Sequence, residues 1–216
     1  MDFSREIELI RRVANDIPQE SDMQGFLSHA RVVCLLSGLV AEEMGLPTEE
    51  CDDIRIAGML HDIGKLTLAE QLYGHNENML NVEHTKYVRM HPAMGNELLR
   101  SEGSYSEKII SYIAAHHENY DGSGYPNHLE EEEIPLGARI LRVCDVFAAL
   151  VSNRSYRAAF TVDAAIEMMI EDVKEYDMKV FLAFMSVVHK PEFDQVKVFI
   201  DMEQQLGLYT KSKSEL

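Results

Sequence analysis

Apolar residues recur at the 3.6-residue spacing of an amphipathic helix along almost the whole chain, and alternating strand-like runs are rare. That period predicts an all-α protein, with helices near 3–17, 24–44, 50–60, 81–101, 106–117, 136–150, 161–175, 177–189 and 192–207. A chain of 216 residues with 46% hydrophobic side chains can bury one substantial core, so a single compact unit is expected. Two stretches break the pattern. The turn DGSG from Asp121 to Gly124, followed by Pro126, should stop helix propagation between His117 and Leu136, because glycine tolerates positive φ and proline restricts what surrounds it. The segment from Thr67 to Asn81, with Gly74 and three asparagines, is the other. Thr161 ahead of VDAAIEMMI reads as a helix N-cap, and Lys211 to Leu216 as a polar tail.

Twenty basic residues against 37 acidic ones give a formal charge of -17, which repels a nucleic-acid backbone. No Lys/Arg cluster offsets it, so no nucleic-acid polymer is expected as a partner. A small anionic substrate would need bound cations or a few local Arg/Lys to reverse the potential inside its site. Charges run through MDFSREIELI and no apolar run approaches membrane-spanning length, so neither a secretory signal nor a membrane partner is expected. Cys34, Cys51 and Cys144 are widely spaced among apolar neighbours and read as buried thiols of a reducing compartment. A soluble cytoplasmic protein is the expectation.

Several polar groups interrupt strongly apolar helical faces: His29 in SHARVV, His61 and Asp62 in MLHDIGKL, His91 in RMHPAMG, His116 and His117 in AAHHE, and Asp145 in VCDVFAAL. Burying these unpartnered would cost several kcal/mol per group, on the order of the transfer penalties for polar side chains. Imidazoles and carboxylates from separated helices can instead hold two neighbouring Mn, Fe or Zn ions. Each residue also has a plainer reading. His29 could bond a carbonyl in the core, His91 could cap the helix after it, and Asp145 could accept from Arg139 or Arg142. Adjacent helical residues point about 100 degrees apart, which suits His61 binding one ion while Asp62 gives one oxygen to each of two. His116 and His117 can converge on one ion if the chain leaves helical geometry directly after them. His75, His84, His128 and His189 read as surface or turn residues.

HDIGKL, HPAMG, HHENYDGSGYP, IPLGARILRVCDVFAAL and SNRSYR together resemble the HD-GYP branch of the HD phosphohydrolase superfamily, with matching stretches from about Gln24 to Phe160. The resemblance implies a single HD-domain helical bundle with additional C-terminal helices. Residues 1–23 would form an N-terminal helix and connector, 24–160 the catalytic core, and 161–210 C-terminal helices packed on that core. It further implies metal-dependent hydrolysis of the 3'-5' phosphodiester of cyclic di-GMP to linear pGpG, with GMP as a further product. Two divalent ions, iron or manganese, would be held by His29, His61, Asp62, His91, His116, His117 and Asp145, with Asp62 as the bridge. Asp62 and Lys65 carry over as catalytic residues, and Lys65, Gly124, Tyr125, Arg154 and Arg157 as substrate-binding ones.

Two departures from the family pattern matter. Gly25 stands where some members place a glutamate, which disfavours a third ion, and DVKEYDMKVFLAF lacks the glycine turn and FDP of the C-terminal part. Two rival readings remain: a metal-dependent phosphohydrolase of another nucleotide or cyclic dinucleotide, and a cyclic-di-GMP-binding signalling scaffold with weak or no catalysis. The apolar last helices are compatible with a homodimer and equally with core packing. A separate regulatory protein is compatible with the sequence as well.

Overall fold

The computed structural model describes residues 2–14, 20–68, 86–153 and 157–213. The described residues form α1 (Ser4–Val13), α2 (Glu20–Glu43), α3 (Thr48–Leu60), α4 (Ile63–Leu66), α5 (His91–Glu102), α6 (Glu107–Ala114), α7 (Leu136–Val151), α8 (Val162–Glu171), α9 (Met178–Val188) and α10 (Asp194–Lys213). Among them there is no strand, and Asp121 and Glu130 form an isolated bridge. The all-α expectation holds.

The helix ends follow local chemistry. The Ser106 hydroxyl accepts from the Ile109 N–H at the start of α6, and Thr161 does the same for Ala164 at the start of α8, as its position predicted. The α5 helix begins at His91 with Pro92 in its first turn, and Gly103 closes it in the left-handed region at φ 64°. This corrects the expected 81–101 helix within its described part, where a turn at Arg89 and Met90 separates residues 86–88 from α5. The expected 161–175 helix is likewise split, because α8 ends at Glu171 and a 3-10 turn follows at Val173–Glu175.

Central to the bundle is α2, which packs against α3, α7, α9 and α10. Its stretch Met23–Glu43 is 21 residues long and, contrary to expectation, long and apolar enough to cross a membrane. Within the bundle most of that stretch is buried, with Val32, Val33, Leu36 and Val40 in the core. The same core extends from Ile10 to Phe193, and Phe147 of α7 meets Phe184 and Phe193 at ring separations of 5.2 and 5.9 Å. The C-terminal helices therefore share one hydrophobic core with the helices that carry the histidines.

Candidate metal centre

Two glycines let the ligand-bearing helices approach one another. At Gly58 a Cβ would lie 2.9 Å from the Cys34 Cα, so only glycine lets α3 settle this closely on α2. At Gly64 it would lie 2.0 Å from the His91 carbonyl oxygen and 2.6 Å from the Gly95 nitrogen. That contact seats α4 on the first turn of α5. The end of α3 thereby faces α2 on one side and α5 on the other, with His61 and Asp62 between them.

His61, His91 and His116 are wholly buried, and each Nδ1 lies against a carbonyl three residues earlier, at Gly58 (2.8 Å), Val88 (2.6 Å) and Ile113 (2.6 Å). Donation from Nδ1 to these carbonyls turns every Nε2 lone pair toward one small volume. The Nε2 atoms of His91 and His116 come within 3.1 Å, where two lone pairs face each other unless a proton or cation lies between them. Chain geometry after α6 brings in His117, whose ring lies 4.1 Å from that of His116 and 4.9 Å from that of His91.

Asp62 sits between two groups of donors. Its Oδ1 is 3.2 Å from His91 Nε2, while Oδ2 is 3.4 Å from His61 Nε2 and 3.9 Å from His29 Nε2. Asp145 joins the second group, with Oδ1 at 3.1 Å from His29 Nε2 and 3.6 Å from His61 Nε2. Asp62, His91, His116 and His117 form one cluster with metal-ligand spacing, and His29, His61 and Asp62 form another. Asp145 is not held by Arg139 or Arg142, which pair with Asp177 and Glu175.

The side chains fit divalent cations. His29 Nδ1, His61 Nε2 and Asp62 Oδ1 are buried with no hydrogen-bond partner among the described residues, a cost that coordination would offset at the latter two. Five imidazoles and two carboxylates also make a donor set suited to iron, manganese or zinc. Gly25 has no side chain to offer an oxygen, and an added Cβ there would meet nothing within 4 Å.

Burial alone would raise both carboxyls, but Lys65 and His61 outweigh it at Asp62, and the neighbouring His29 and His61 imidazoles do so at Asp145. Both are held well below the usual carboxylate range. Burial pushes His116 well down and His117 down to about 3, so these two enter coordination already neutral. His61 differs: burial opposes its charge, but Asp62 and Asp145 hold its pKa up at about 10. Cation binding must therefore displace a proton from His61. Affinity for a divalent ion is expected to rise by about tenfold per pH unit from neutrality toward pH 10, with one proton released, measured by metal titration in several buffers. A flat profile would contradict this assignment.

The DGSGYP loop closes one side of the centre. Gly122 has φ 75°, and a Cβ on Gly124 would lie 2.2 Å from the Asn119 nitrogen, so the loop backbone lies directly on the chain after His117. The buried Glu118 carboxylate accepts from the N–H groups of Asn127 (2.6 Å) and Leu129 (3.2 Å). Arg142 ties Asn119 to Glu175, at 2.7 and 3.0 Å. Tyr125 donates its N–H to the His117 carbonyl (3.1 Å) and stacks its ring on the His117 imidazole at 4.8 Å.

Of the expected substrate residues, Lys65 reaches the centre, its Nζ 2.6 Å from Asp62 Oδ2 and its side chain 28% exposed. Gly124 and Tyr125 flank it. Arg157 goes elsewhere: its guanidinium donates to the carbonyls of Ala149, Leu150 and Ala158 and lies over Phe160, finishing the carboxyl end of α7. Arg154 lies outside the described residues, as do His75 and His84. His128 and His189 are exposed, as expected. Gly64, Glu118 and Asn119 were not singled out from sequence, although all three lie inside the motifs HDIGKL and HHENYDGSGYP.

The chain is similar to known proteins. The HD domain family model matches residues 17–180. The cyclic di-GMP phosphodiesterase response regulator RpfG of Xanthomonas campestris pv. campestris is 40% identical over 164 residues, covering 75% of this chain and 42% of that protein. The 3'3'-cGAMP-specific phosphodiesterase 2 of Vibrio cholerae is 33% identical over 193 residues, covering 88% and 36%. The chain thus spans well under half the length of either relative. A cyclic GMP-AMP specific phosphodiesterase of Vibrio cholerae (V-cGAP3) of known crystal structure superposes with a TM-score of 0.65 at 17% identity, covering 94% of this chain and 52% of that one. That likeness concerns the fold alone.

Proposed function

The chain belongs to the HD domain family, in its HD-GYP-like branch, and from that premise we propose that it is a metal-dependent phosphodiesterase that hydrolyses a cyclic dinucleotide. The observation that carries this reading is Asp62, whose two oxygens face two separate sets of imidazoles. A carboxylate so placed could serve both cations of a two-cation phosphodiesterase.

His29, His61, Asp145 and one oxygen of Asp62 would hold one cation, and His91, His116, His117 and the other oxygen a second. Cations there supply positive charge against a phosphate oxygen and make water a stronger nucleophile at neutral pH. Iron or manganese is the proposed metal, in keeping with the mixed imidazole and carboxylate donors. The chain's own groups do the rest. Lys65, anchored by Asp62 and partly open to solvent, presents an ammonium group to the scissile phosphate or its leaving oxygen. The Tyr125 ring already stacks on His117 and carries the Arg89 guanidinium. The Tyr125 hydroxyl is the group offered to phosphate.

Cyclic di-GMP, opened at a 3'-5' bond to pGpG, is the proposed substrate, supported by the 40% identity to RpfG. Cyclic GMP-AMP is the second reading, favoured by the relatives named for it. Side-by-side hydrolysis of cyclic di-GMP, 3'3'-cGAMP, cyclic di-AMP, pGpG and nucleotide monoesters by iron- or manganese-loaded protein tests both. Turnover of cyclic di-GMP is expected to exceed the others and to vanish with chelator. Faster turnover of cGAMP would move the assignment to the second reading. Binding without metal-dependent product would instead leave a scaffold.

A further inference from the structure

The cations near the centre are mostly committed inside the protein. Lys65 is held by Asp62, Arg139 by Asp177, Arg142 by Asn119 and Glu175, and Arg157 by carbonyls of α7. Arg89 differs, since it is exposed and among the described residues its guanidinium meets only an aromatic face, with Cζ 5.3 Å from the Tyr125 ring centroid. We infer that Arg89 is a substrate-binding residue that holds the phosphate of the cyclic dinucleotide not undergoing cleavage. This rests on the substrate class proposed above and adds a residue that the family motifs did not supply.

The placement follows from the local chain. Arg89 lies two residues before His91 and next to Val88, whose carbonyl fixes the His91 ring. Its backbone is thereby tied to the centre. Tyr125 acts as a spacer: its ring stacks on His117 at 4.8 Å and carries the guanidinium at 5.3 Å. Arg89 thus meets the ring that lies against a ligand imidazole, and among the described contacts it touches no ligand itself. A cyclic dinucleotide, however, carries its two phosphates on opposite sides of one macrocycle. With one phosphate at the cations, the other must lie to the side, and this edge of the site offers an exposed guanidinium. A guanidinium lying over a ring keeps its N–H edges outward, where they can engage a phosphate in a paired hydrogen-bonded fork. The chain's charge of -17 raises the value of one such cation to a dianionic ligand.

Arg89→Ala, Arg89→Lys and the wild type, all metal-loaded, are compared on cyclic di-GMP, 3'3'-cGAMP and bis(p-nitrophenyl) phosphate, which has a single phosphate. Arg89→Ala should raise KM for the cyclic dinucleotides about 10- to 100-fold with kcat within about threefold. It should weaken equilibrium binding of a phosphorothioate cyclic di-GMP analogue by a similar factor and leave bis(p-nitrophenyl) phosphate turnover, melting temperature and metal content unchanged. Arg89→Lys should recover part of the affinity, because it keeps the charge and loses the fork. An unchanged KM in Arg89→Ala, beside a wild type active on cyclic dinucleotides, overturns the role of Arg89 alone. Equal loss on bis(p-nitrophenyl) phosphate also overturns it, since that would place the effect at the centre. A wild type that cleaves only the single-phosphate ester overturns the substrate class and this inference together.

Discussion

Asp62→Ala is expected to reduce bound metal from two ions per chain to one or none and to lower kcat by about a thousandfold or more, because the group removed serves both cation positions. Its Oδ1 and Oδ2 face different imidazoles, so no other carboxylate in the centre substitutes for it. Asp145→Ala is the contrasting case. Asp145 contacts His29 and His61 and has ligand spacing with His61 and His116, while the group of Asp62, His91, His116 and His117 does not include it. That variant should retain one ion. Asp62→Asn tests whether shape alone suffices: it preserves the outline but removes the charge that binds Lys65 and raises His61, so it should resemble alanine in metal content. Elemental analysis beside product formation decides the matter. Asp62→Ala protein that holds two ions and hydrolyses a cyclic dinucleotide at the wild-type rate would remove Asp62 from the role of bridge.

How the metal centre was legible in the sequence can be argued from the same residues. His61, His91 and His116 stand at positions that an apolar helix face would otherwise fill, and the structure buries all three completely. Their polarity was visible without coordinates. The roles proposed for Asp62 and for the paired His116 and His117 rest on adjacency, in one case two directions from neighbouring residues and in the other a helix that ends at Ala114. Less legible were features that depend on what lies opposite. Arg157 has the charge of a phosphate ligand, yet its neighbours are the free carbonyls at the end of α7, which accept its hydrogen bonds. Arg89 carries the same charge and remained unremarked, because only the fold places Tyr125 beneath it.

The apolar character of α2 shows the same limit from another direction. From Met23 to Ala41 its only formally charged side chain is Arg31, so by composition it could cross a bilayer, and it instead forms the centre of the bundle. A helix surrounded by α3, α7, α9 and α10 has little use for a polar face. Within that apolar helix His29 is nearly buried, which makes its imidazole costly unless it meets Asp145 and a cation. Centrality in the fold and the metal site thus have a common cause. A helix packed on four others is also where a polar ligand can be held rigidly.

Gly64→Ala should damage this centre without touching a ligand. The added Cβ would lie 2.0 Å from the His91 carbonyl oxygen, 2.6 Å from the Gly95 nitrogen and 2.9 Å from the His91 carbonyl carbon. All three are backbone atoms, so no side-chain rotation relieves the overlap, and α4 must move away from α5. That separation draws Asp62 and Lys65 away from His91 and widens the 3.2 Å approach of Asp62 Oδ1 to His91 Nε2. Overpacking of this kind costs about 1–3 kcal/mol, which for a chain of this size lowers the melting temperature by roughly 2–10 °C. Affinity for the second cation should fall by about 10- to 100-fold, as when ligand supports are disturbed. Gly25→Ala provides the control, because it makes the same chemical change in α2 where nothing lies within 4 Å. There the loss of backbone freedom in the unfolded chain should dominate and raise stability by about 0.5–1 kcal/mol. Opposite shifts in melting temperature from one added methyl group, with metal loss confined to Gly64→Ala, would establish that close backbone contact between α4 and α5 sets the spacing of the two cation positions. Equal metal uptake by the two variants would show that the ligands find their geometry without it.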